Sequence, residues 1–186
     1  MTFAWTPHRF SGGALALDIA NSIVMRFDDE RRIDRYADPA ALDGFATAAR
    51  EFSAERHLFG ELEPVSPADR PAFFTLRDAV DRHFRAVVLG GASGALLADL
   101  LDAISTITRR HALPAQRTPL DAAAARSALS LATLSEPERL KICPNCKWLF
   151  LDRSRNRSRT WCDMAVCGNR VKASRHYQRQ RKEPAP

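Results

Sequence analysis

Four thiols with paired spacing are the residues best placed to do chemistry in this 186-residue chain: Cys143, Cys146, Cys162 and Cys167. They read Cys-x2-Cys-x15-Cys-x4-Cys, with no cysteine elsewhere. Two close pairs a short loop apart deliver four soft ligands to one tetrahedral zinc ion. Disulfides would need an oxidising compartment, and small disulfide scaffolds are denser in cysteine than this. The Cys143-Pro144-Asn145-Cys146 segment has the spacing of a thioredoxin-like redox pair. That motif, however, opens a helix after a strand, whereas Trp148-Leu149-Phe150-Leu151 follows here and reads as a strand itself. Four thiolates leave no open position for water, so the expected zinc is structural and the chain is not expected to be an enzyme. Metal binding worth roughly 10–16 kcal/mol would supply most of the folding energy of so small a segment.

The elements that position these ligands follow from the spacing. Cys143 and Cys146 form a knuckle leading into the strand. The arginine-rich run from Asp152 to Arg159 is expected as a hairpin tip, with Arg159-Thr160-Trp161 returning. Cys162 and Cys167 stand five apart, about 140° around a helix, so both cannot share one helical face. Cys162 is therefore placed at the end of the return, and Cys167 at the start of a last helix. Gly168-Asn169 would lead into that helix over Arg170–Lys182, with Val171, Ser174, Trp161 and Tyr177 available as cover for the knuckle. Knuckle, hairpin and helix make a treble-clef-like unit.

Charge is distributed unevenly along the chain. From Lys141 to Pro186 there are 12 Lys/Arg against 3 Asp/Glu, a net of +9. The first 140 residues hold 16 and 19, a net of −3, and the two parts give the overall +6. A basic region of this kind suits a polyanion, because neutralised phosphates release counterions. Candidate contacts are Arg153, Arg155, Arg157 and Arg159 in the loop. Arg170 begins the helix, and Lys172, Arg175, Arg179 and Lys182 recur at three- and four-residue spacing. A solvated or protein-facing surface is the alternative for these cations. Asn156, Asn169 and Gln178 are the uncharged candidates for base edges.

Residues 1–140 read as mainly helical. Asp38-Pro39 caps a run through Leu42, Phe45 and Phe52, and Ser66-Pro67-Ala68-Asp69 resembles a capping box ahead of Phe73 to Val88. Ser93-Gly94 begins a further helix, and Leu120 to Leu134 makes an alanine-rich one. These amphipathic segments should pack as a small bundle. Within Gly12–Ser22 a helix from about Gly13 is expected, with a strand over Ala14–Ile19 as the alternative. Asp18 and Asn21 then share one face, and two readings stand: they tie neighbouring loops, or they line a small-molecule pocket. The histidines pair with no nucleophile, and no phosphate loop or serine elbow is present. The first residues lack a basic-then-apolar leader, and no segment has the ~20 apolar residues that span a bilayer, so the expectation is cytoplasmic with no membrane partner.

Two stretches carry a family resemblance. Cys143 to Asn156, with Trp161-Cys162-Asp163-Met164-Ala165-Val166-Cys167-Gly168-Asn169-Arg170, resembles the CGNR zinc finger, whose tetrapeptide stands at 167–170. Gly12-Gly13-Ala14-Leu15-Ala16-Leu17-Asp18-Ile19-Ala20-Asn21-Ser22 is similar to the opening of the ABATE domain, with Ile19 and Ser22 where that family commonly has an aromatic and a threonine. The resemblance implies a helical domain over 1–138, a zinc finger over 139–182 and a tail over 183–186. It further implies a bacterial, stress-induced transcription regulator whose four cysteines hold one zinc and whose finger binds duplex DNA. A small-molecule effector and a homodimer are the accompanying expectations. Two rivals remain. One is an RNA-binding finger stacking Trp148, Trp161 and Tyr177 on unpaired bases. The other is a ligand-binding or enzymatic helical domain with the finger as docking equipment.

Overall fold

A computed structural model describes residues 3–111 and 117–180, apart from the side chains of Arg175 and His176. Lys182, of the expected helical stripe, and the tail 183–186 lie outside the described residues. Mainly helical architecture with a small cysteine-bearing finger is what the chain forms. The long helices are α2 (Pro39–Phe52), α3 (Arg70–Leu89), α4 (Gly94–Thr108) and α5 (Leu120–Ala132). Their starts follow the local sequence: Asp38 accepts from Ala40 N and Ser93 from Leu96 N, each satisfying an otherwise orphaned N–H. Ser66 accepts from Asp69 N at 3.3 Å, one turn ahead of α3.

The Gly12–Ser22 segment takes the helical option. Helix α1 (Leu15–Ala20) is short, and every residue of it is buried. A helix apolar but for Asp18 belongs in an interior, and this one sits against α3 and α5. Burying Leu15, Leu17 and Ile19 contributes roughly 1.5–3 kcal/mol each. The alanines at 122–125 and 128 in α5 are buried, keeping its side chains small where α1 packs. Polar groups meet the first turn of α1. Glu55 Oε2 accepts from Leu15 N at 2.9 Å and from Ser127 Oγ at 2.6 Å, and Ser127 Oγ accepts from Ala16 N at 3.0 Å. A carboxylate there also meets the positive end of the helix dipole.

Three two-stranded ladders are formed among the described residues. Strand β1 (Ile23–Val24) pairs antiparallel with β2 (Ile33–Asp34), and β3 (Glu61–Glu63) parallel with β4 (Arg117–Pro119). Strand β5 (Leu140–Ile142) pairs antiparallel with β6 (Leu149–Leu151). Leu140, Leu149 and Leu151 join the same core as Leu15, Phe45, Phe73 and Ile107. The main core thus runs across the boundary expected after residue 138. No helix among the described residues is long and apolar enough to cross a membrane.

Candidate metal centre and nucleic-acid interface

The knuckle is built by the β5–β6 hairpin. Cys143 N donates to Trp148 O at 2.8 Å, and Lys147 N to Cys143 O at 2.9 Å, closing the turn with Lys147 at a positive φ of 63°. The hairpin therefore straddles the first cysteine pair. The expected hairpin tip at the arginine run, with Arg159–Trp161 as a returning strand, is not formed: β6 is partnered by the residues before the knuckle. Leu140 and Ile142, both apolar, offer that strand a better mate than the polar return.

The second pair comes from the start of the last helix. Asp163 Oδ1 accepts from Ala165 N and Val166 N, capping a single π-helical turn over Met164–Gly168 that holds Cys167. Helix α6 (Asn169–Gln180) continues from it. Helical winding thus starts earlier than the expected Gly168-Asn169 lead-in, because Asp163 is the better cap. Trp161 packs beside the cysteines, whereas Tyr177 is exposed.

The four sulfurs converge, all lying within 4.8 Å of one another. Cys146 Sγ is 3.5 Å from Cys162 Sγ, which is 3.7 Å from Cys167 Sγ. A tetrahedron with ~2.3 Å Zn–S bonds has edges of about 3.8 Å, so the donor set fits zinc in chemistry and in size. Cys143, Cys162 and Cys167 are buried with Trp148 and Phe150, which excludes water from these three ligands, whereas Cys146 is half-buried. Four thiols this close cannot all ionise without a cation. Hydrogen bonding with Cys143, aided by burial, pushes the Cys162 thiol up to about 12. A divalent cation reverses that tendency and expels the protons. The cluster holds one structural zinc.

The arginine loop is organised around Asp152, which is fully buried. Its Oδ2 accepts from Lys141 Nζ at 2.7 Å and Arg159 N at 2.9 Å, and its Oδ1 from Ser154 N at 2.9 Å and Ser154 Oγ at 2.6 Å. Burial works against its ionisation, but the ammonium and these donors prevail and hold the carboxyl well below its usual range. Three of the four loop arginines are engaged by the protein itself. Arg153 donates to Gly13 O at 2.5 Å and to Glu55 Oε1 at 3.2 Å. Arg157 pairs with Glu136 and Glu138. Arg159 donates to Cys162 O and lies over the Phe150 ring. Arg155, Arg170, Lys172 and Arg179 are exposed and enter no ion pair among the described residues. Lys172 and Arg179 stand seven apart, nearly two full turns, and so share a face of α6; Arg170 points about 200° away from Lys172. Residue 175 lies in α6, its side chain outside the described set.

Asp18 and Asn21 both tie neighbouring segments, and Asn21 also lines a cleft beside the knuckle, which Asp18 does not. Asp18 Oδ1 accepts from Gly12 N at 2.8 Å. Burial pushes its carboxyl well above the usual range, and the Gly12 N–H only partly opposes that. Asn21 pairs with β6 as a strand would: its Nδ2 donates to Leu149 O at 2.9 Å and its Oδ1 accepts from Leu149 N at 3.0 Å. Leu151 N donates to Gly12 O at 2.8 Å. Gly13 sits at φ 76°, and a Cβ there would come within 2.8 Å of Leu151 O. The Gly12–Asn21 motif is therefore the cradle of the finger hairpin. His8 adds a clamp from outside, stacked on Trp148 at 5.3 Å with its Nδ1 2.9 Å from Asp163 Oδ2. Sequence reasoning missed this docking. Its one legible signal was two polar residues, three apart, inside an otherwise apolar helix. A second group, Asp69, His111 and Asp121, also brings ligand atoms together, but Arg110 already occupies Asp69 at 2.9 Å.

Fold and site define a helical protein carrying a four-cysteine, treble-clef-like zinc module on its core. Residues 139–180 match the CGNR zinc finger family. No curated protein matches the chain.

Proposed function

We propose that the protein is a DNA-binding transcription regulator, not an enzyme, in which the finger grips duplex DNA and an ABATE-like domain over 1–138 senses or dimerises. The observation that carries this reading is the charge left over once internal pairing is subtracted. Asp152 is consumed by Lys141 and backbone donors, and Asp163 caps a helix and meets His8. Arg155, Arg170, Lys172 and Arg179 stay exposed around the zinc module, with no carboxylate paired to them among the described residues. Such cations suit phosphate contacts. Two-fold symmetric sites would suit a homodimer.

An RNA-stacking surface draws less support. Trp148 is buried beneath His8 and Trp161 is half-buried, leaving Tyr177 as the exposed aromatic of the three. Competition between duplex DNA and single-stranded RNA separates the two readings. Duplex preference is expected, with Arg155→Ala reducing the salt slope by about one unit and Arg153→Ala acting through stability. Preference for RNA, or no duplex binding at low salt, would overturn it.

A further inference from the structure

A cleft of about 190 Å³ opens where the knuckle meets the helical domain, between the Ile23–Asp28 segment, α3 and Asn145–Trp148. It is smaller than common ligand pockets of ~300–1,000 Å³, which limits its occupant to about one ring. Ile23, Met25, Phe27 and Trp148 supply apolar walls. Phe27 is 65% exposed, an aromatic face left in water beside the opening, with the Arg85 guanidinium 4.9 Å from its ring centre.

The polar side of the cleft carries excess positive charge. Asp81 is shared by two guanidiniums: Arg85 takes both its oxygens, at 2.7 and 3.2 Å, and Arg26 Nε lies 3.3 Å away. Arg85 is further spent on Lys147 O at 2.9 Å. Arg26 gives one donor to Ala20 O at 3.0 Å, so of its five N–H groups several remain for a ligand. Lys147 also lines the site, while Asp28 is taken by Arg31. Buried Trp148 Nε1 has no acceptor among the described residues. Of the three non-glycine residues with positive φ among the described residues, two, Met25 and Lys147, line this cleft. Both belong to turns: Lys147 to that of the knuckle, and Met25 to the one that follows β1, where its carbonyl accepts from Asp28 N at 2.9 Å.

We infer that this cleft binds a small aromatic carboxylate, its ring against Phe27 and Trp148 and its carboxylate on Arg26. Because Asn145–Trp148 belong to the zinc knuckle, the ligand sits directly against the finger. The inference stands whether or not the finger binds DNA, since its test reads ligand binding alone.

Titration calorimetry on the zinc-loaded full chain with benzoate and phenylacetate, and with benzyl alcohol and acetate as controls, tests it. The two aromatic acids are expected to bind one per chain, with benzyl alcohol and acetate at least tenfold weaker. Arg26→Met should erase the preference of acid over alcohol. Phe27→Ser, at an exposed position, should weaken the acids at least fivefold. It provides the readout if Arg26→Met fails to fold. No binding of either acid at millimolar concentration, equal binding of benzyl alcohol, or acid binding unchanged in Phe27→Ser would overturn the assignment.

Discussion

Asn21 contributes more to this molecule than its size suggests. One amide side chain satisfies both backbone groups of Leu149, so the helical domain grips the finger strand as a neighbouring strand would. Asn21→Ala leaves a buried N–H and a buried carbonyl unpaired, and should cost roughly 2–4 kcal/mol in urea unfolding. Asp18 behaves differently, because its partners, the Gly12 N–H and the Ser53 hydroxyl, are neutral and its charge is buried. A folded-state value above the ordinary ~4 means that ionised Asp18 opposes folding, increasingly as pH rises from that ordinary value through the folded one. Asp18→Asn keeps an oxygen for Gly12 N and removes the charge. It should match the parent near pH 4 and be the more stable of the two at pH 7.5, in parallel denaturation curves. Loss of stability at pH 7.5 would show that the charge itself is needed. The sequence made the pair visible as polar residues on one helical face. It could not reveal that the face meets the finger, since that contact joins residues some 128 positions apart.

Among the elements, the arginine loop shows how composition and placement part company. Four arginines alternating with small polar residues look alike in sequence, yet three are drawn back into the protein and only Arg155 of the four projects with neither hydrogen bond nor ion pair among the described residues. The organiser is Asp152, a single acid amid cations, and no periodicity marks it. Asp152→Ala should strand Lys141 and free the loop, costing about 3 kcal/mol, as removing one partner of a buried ion pair does. Chemical denaturation would measure that cost, and faster amide exchange over residues 153–159 would locate it. Helix starts were far more legible. Asp38 and Ser93 cap where their sequences say, because a cap is a local contact. The hairpin was misassigned because strand pairing depends on which neighbour arrives. Leu140–Ile142 precedes the knuckle and wins that place.

For the whole molecule, zinc and core are coupled. Leu149 and Leu151 lie in the main core while the alternate residue Phe150 faces the cysteines, so one strand serves both. Chelation should therefore lower the melting temperature of the entire chain in a single shifted transition, rather than melt a separate finger; an unchanged main transition would contradict this. The cysteine spacing announced the metal, and the charge asymmetry announced the basic module, because both are written in adjacent residues. The seating of that module on Gly12–Asn21 was not so written. Duplex binding measured across a salt series, with zinc-loaded protein beside a chelated control, tests the proposed DNA grip most directly. The expected result is tight binding at low salt that falls steeply with the logarithm of salt concentration and disappears on chelation. Binding indifferent to salt and zinc, or none to any duplex at low salt, would contradict it.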